Sequence, residues 1–99
     1  MNNKIKSIIL KCVGKFKFEI IGSDFNNEDK VSCILKSGKY NYIFRFIGFN
    51  VSLNAIETYD ESKSLKELAI YKRSKVVESI EEMELLVDSF LYEVENKNL

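Results

Sequence analysis

The chain has 99 residues, 45% of them hydrophobic and 30% charged, with fifteen basic and fifteen acidic side chains, no His and no Pro. A chain of this size and balance forms one domain around one core, over residues 1–99, and is not a disordered polymer. The missing His removes the commonest general base and the usual nucleophilic triads, and no apolar stretch is long enough to span a membrane.

The elements follow in chain order. Ile5, Ile8, Ile9, Cys12, Val13 and Phe16 recur at three and four, the stripe of an amphipathic helix. Asn3 is placed to cap its start and Gly14 to stop it. A strand over the same residues is the alternative, given their β-branched content. Phe16, Phe18 and Ile20 then alternate with Lys17 and Glu19 as a strand, and 22–30 is a polar loop. Val31, Cys33 and Leu35 alternate again. Ser37-Gly38 marks a tight turn before a long strand over 39–47. In that strand Tyr40, Tyr42, Phe44 and Phe46 face one side and Ile43 and Ile47 the other, which predicts a central position. Gly48 ends it, and Val51 and Leu53 start a short fourth strand.

A polar loop covers 57–64. Ser64-Leu65-Lys66-Glu67 fits a capping box and predicts a helix from there to about Arg73. Ser79-Ile80-Glu81-Glu82 is a second capping box. It opens a helix whose stripe is Ile80, Met83, Val87, Phe90 and Val94, widened by Leu86 and Leu91. The fold class read from this pattern is α+β: an N-terminal helix, a three- to four-stranded antiparallel sheet and two C-terminal helices packed on one face.

Little in the chain carries chemistry. The N-terminal lysines and Ile8-Ile9-Leu10 do not make a secretory signal, because Lys11 breaks the run and no small-residue cleavage site follows. A cytoplasmic location and reduced thiols are therefore expected. Cys12 and Cys33 read as small buried hydrophobes. Two cysteines without His are no zinc site. Asp60 with Glu61, or Asp24 with Glu28 and Asp29, have oxygen ligands but no EF-hand spacing, and turn chemistry explains them more simply. No phosphate-binding glycine motif is present. No catalytic residue, metal or cofactor is assigned, and no enzyme is expected.

Charge separation is the main functional signal. Residues 1–50 hold nine basic and four acidic side chains, net +5, and 51–99 hold six and eleven, net −5. Residues 78–95 carry seven acids and no base, with Glu81, Glu84, Asp88 and Glu95 in one stripe on the last helix. Early carboxylates favour the helix dipole, but Glu93 and Glu95 oppose it at the other end. A lysine-rich first helix lying beside this one would neutralise the stripe.

Three readings follow. The leading one is a non-enzymatic protein-binding module whose acidic stripe meets a basic surface on a protein partner. Phe, Tyr, Met, Ile, Asn and Lys fill 47 positions while Gly, Ala, Arg and Pro fill 8, the mark of an AT-rich genome. A concrete form is thus an anti-CRISPR-like inhibitor of a host defence protein, encoded by a phage or mobile element. The second is a nucleic-acid binder using Lys4, Lys11 and Lys15, with the 40–46 strand as a stacking surface. Neutral overall charge, only two Arg and no glycines beside the aromatic residues weigh against it. The third is an assembly subunit forming a homodimer through an edge strand or the last helix. Tyr59, Tyr71 and Tyr92, in polar stretches, are candidate interface anchors.

Overall fold

The computed structural model describes residues 2–27, 30–38, 40–58 and 60–96. Helix α1 (Asn2–Phe16) leads into strands β1 (Glu19–Asp24), β2 (Lys30–Lys36), β3 (Asn41–Ile47) and β4 (Asn50–Ile56). A single helical turn, α2 (Leu65–Leu68), precedes β5 (Tyr71–Val76), and helix α3 (Ile80–Asn96) follows. The strands pair antiparallel in chain order, β1-β2-β3-β4-β5. The class is α+β as the pattern implies, but the sheet has five strands and one long C-terminal helix rather than two.

In α1 the predicted stripe is the buried one. Ile5, Ile8, Ile9 and Cys12 lie in the core, with Val13 and Phe16 packed against it. The predicted ends differ. Asn3 lies within the helix, and the helix runs through Gly14 to Phe16. It stops at Lys17, which has φ 57°, while the Phe18 N–H donates to the Val13 carbonyl at 3.0 Å. This is the six-to-one bond of a Schellman end, with Lys in the left-handed place that glycine usually takes. The left-handed conformation costs about 1–2 kcal/mol. Recapture of a terminal carbonyl and burial of Phe18 offset it.

β3 is central, as its two apolar sides predict. Phe44 pairs with Cys33 on β2 and Leu53 on β4, all on the helix-covered face. Tyr42 and Phe46 share that face, between Leu35 and Ala55 and between Val31 and Val51. β4 is a full strand because Val51, Leu53 and Ala55 keep the alternation. Gly48, at φ 59°, allows the two-residue turn between Ile47 and Asn50. β1 runs to Asp24, beyond the predicted loop start, with an irregularity between Ile20 and Gly22.

The largest correction concerns 64–76. The capping box is real, with the Glu67 N–H on Ser64 Oγ at 3.3 Å, but the helix lasts one turn. The Ile70 N–H donates to the Ala55 carbonyl at 2.9 Å, and Tyr71 to Val76 then pair along β4. Of β5 only Tyr71 is buried. An edge strand this polar has no alternation for a sequence reading to detect.

The odd strand number has a consequence for the helices. α1 reverses into β1, β5 runs the same way as β1, and α3 reverses out of β5, so α1 and α3 run parallel on one face of the sheet. Met83, Val87, Phe90, Leu91 and Val94 of α3 complete the core there. Ser79 caps α3, accepting from the Glu82 N–H at 3.1 Å, and Glu82 accepts the Glu78 N–H at 2.8 Å. Such a cap contributes about 1 kcal/mol.

Candidate functional site

Side-by-side parallel helices align their dipoles unfavourably, and this seam carries opposite charges on its two sides. Lys11 of α1 meets Glu84 of α3 at 3.1 Å, and Lys15 meets Asp88 at 3.3 Å. Asp88 also accepts the Cys12 thiol at 3.9 Å. Its hydrogen bond to Lys15 raises the ammonium pKa. The Lys15 ammonium also lies 5.0 Å from the centre of the Tyr92 ring, and Tyr92 packs edge-on against Phe16. The middle of the acidic stripe is therefore engaged within the molecule. Glu93, which the helix dipole disfavours, receives Arg73 of β5 at 2.9 Å.

Glu81 and Glu95, the ends of the stripe, are exposed, and no cation pairs with either among the described residues. A different line of α3 reaches the surface, with Tyr92 at its far end still leaning on Phe16. Leu85 is 70% exposed and Tyr92 50%, with Glu78, Glu81 and Glu82 exposed around the first turns. Leu85 was missed by the periodic reading because it falls outside the three-and-four stripe that Leu86 joins. An apolar residue off the buried stripe was the available signal.

Of the three lysines proposed for nucleic acid, Lys11 and Lys15 are in the seam and Lys4 is exposed. Tyr40, Tyr42, Phe44 and Phe46 are core residues and present no stacking surface. Tyr71 is buried rather than exposed, and Tyr59 lies outside the described residues.

Both thiols are free and buried. Burial pushes Cys12 up to about 12, with the Asp88 charge adding to it and Lys15 acting against it. Burial pushes Cys33 up to about 12 as well. Neither is a nucleophile at neutral pH. Among the described residues, the buried Tyr42 and Tyr71 hydroxyls have no hydrogen-bond partner at bonding distance. Burial raises both phenols, Tyr71 to about 12, and interaction with the Glu95 carboxylate at Tyr42 and the Glu93 carboxylate at Tyr71 adds to the effect.

Two of the carboxylates considered for metal, Asp60 and Asp24, serve turns. Asp60 accepts the Ser62 N–H at 2.9 Å and hydroxyl at 2.7 Å, bonds that lower its pKa. Asp24 accepts the Asn26 N–H at 3.1 Å, while Glu28 and Asp29 lie outside the described residues. Comparison of the chain with protein-family models, curated proteins and solved structures gave no significant match in any of the three.

Proposed function

We propose that the chain is a non-enzymatic protein-binding module that meets a basic partner surface through the outer side of α3. The observation that carries this reading is Leu85, 70% exposed one helical turn after Glu81 and Glu82, with Glu82 and Lys75 of β5 lining the depression beside it. An apolar anchor within a charged rim is the arrangement of an interface hot spot. Glu81, which has no cation partner among the described residues, is available to steer and orient a basic partner. Of the stripe, Glu81 belongs to this surface, while Glu84 and Asp88 hold α1. The concrete form is a small antagonist of a nucleic-acid-handling host protein, whose basic face the acidic ridge would occupy, as an anti-CRISPR-like inhibitor would. The absence of His and the raised thiol pKa values support a binding role over a catalytic one.

The test is affinity capture from nuclease-treated and untreated host lysate, with wild type beside Leu85→Ser and Glu81→Lys. Nuclease-resistant capture of a protein, reduced about tenfold or more in each variant, is expected. Equal capture by the variants rejects the α3 surface. Capture lost on nuclease treatment promotes nucleic acid instead.

A further inference from the structure

The sheet face away from the helices carries a second candidate site, independent of the α3 reading. An open depression of about 530 Å³ lies there, bounded by β1, β2, β3 and the 63–64 segment that crosses back from β4. Its cations are Arg45 and Lys63, its hydroxyls include that of Ser32, and Ile34 and Ile43 supply apolar wall, while the Ser64 hydroxyl is held by Glu67 at 3.3 Å.

Arg45 is the unusual member. It stands on the central strand between Ser32 and Ser52, neutral neighbours where an opposite charge would stabilise a cross-strand pair. No carboxylate pairs with Arg45 or Lys63 among the described residues, although the same molecule pairs Lys11, Lys15 and Arg73. The one carboxylate of the lining, Asp24, is turned to the Asn26 N–H. A guanidinium offers a planar fork matched to two oxygens of one anion, and an ammonium and a hydroxyl beside it complete such a cradle. The isoleucines favour an anion carried on an apolar body over a bare ion.

We infer that this depression binds an organic oxyanion, a phosphate monoester or carboxylate on an apolar group, with Arg45 as the principal contact and Lys63 as the second. Either a free metabolite or an acidic side chain of a protein supplies that chemistry.

Phenyl phosphate is the probe, followed by amide NMR of the full chain. Saturable shifts are expected at 22–24, 32–34, 43–45 and 63–64, with a Kd of the order of millimolar for a ligand of this size. Arg45→Gln should weaken binding about tenfold without moving the unfolding midpoint, because the residue is exposed and has no ion-pair partner among the described residues. Phenol, which keeps the ring and lacks the charge, should not saturate these signals. Absence of saturable shifts, equal binding by Arg45→Gln, or equal binding of phenol would each overturn the assignment. A pentapeptide carrying phosphotyrosine separates the sources within it: tighter binding than phenyl phosphate supports a protein side chain, and equal or weaker binding supports a metabolite.

Discussion

Phe44 and Arg45 are neighbours in the chain and sit in opposite environments. Phe44 lies under α1 and α3 between Cys33 and Leu53, in a layer with almost no polar atoms. Arg45 lies on the other face between two serines, in a row from Asp24 to Ser74 that is polar throughout. The second face is not uniformly polar. Ile43 and Ile56 are buried there, outside the main core, whereas Ile47 and Val76 are 53% and 68% exposed. One face is thus built for stability and satisfied by the protein itself. The other has a cation, Arg45, with no carboxylate partner among the described residues, and apolar groups, Ile47 and Val76, that stay exposed.

The largest expected effect tests that division directly. Phe44→Ala should cost about 3–5 kcal/mol, as a large cavity beneath the helices cannot collapse. Ile47→Thr, three residues away on the other face and equally suited to a strand, should change stability by no more than about 0.5 kcal/mol. Urea unfolding of the two variants measures both. Comparable losses would mean that the free face is covered in solution.

A smaller effect is a pH dependence that belongs to the helix-covered side alone. Cys12 and Cys33 have an ordinary value of 9.0 and are held up to about 12 in the fold. The unfolded chain therefore releases these protons near pH 9 while the folded one keeps them. Their contribution is present in full below pH 9, falls as pH rises, and is lost as pH passes through about 12. The raised phenols of Tyr42 and Tyr71, and Lys15 with its raised pKa, act in the same direction. The urea midpoint should fall from pH 9 upward, and Cys33→Ala should flatten the first part of that fall. A midpoint independent of pH between 9 and 10 would show that the thiols are solvated.

The smallest effect concerns one of two flaws in the covered face, the buried hydroxyls of Tyr42 and Tyr71. The Tyr42 hydroxyl has no hydrogen-bond partner among the described residues, so Tyr42→Phe should leave stability unchanged or raise it by about 1 kcal/mol. A loss of that size would reveal a bond to the hydroxyl and make the covered face less purely apolar than described.

The contrast between the faces was half legible in the sequence. Tyr42, Phe44 and Phe46 alternate strongly enough to declare the covered face, and Ile43 and Ile47 declare β3 central. Arg45 carried no signal, since one cation in an aromatic strand is compatible with a paired or an unpaired place. Lys63 comes to the same depression from another segment, and only the return of the chain from β4 makes them neighbours. The seam on the opposite side was legible as a charge imbalance between the ends of the chain. Which carboxylates met which lysines depended on α1 and α3 lying side by side and parallel, a result of there being five strands rather than four.

Local periodicity by itself determined the two long helices, their buried stripes, the central strand and the α+β class. It could do so because burial of one face imposes a repeat of 3.6 or 2 residues on the chain. Tertiary structure alone decided the rest. The capping box at Ser64 is satisfied by one helical turn, and backbone pairing with β4 then converts a polar segment into β5, a preference that edge hydrogen bonds impose without any hydrophobic pattern. It also divided the acidic stripe, spending Glu84 and Asp88 on α1 and leaving Glu81 and Leu85 outward, because a charge acts through distance and the chain sequence does not contain that distance.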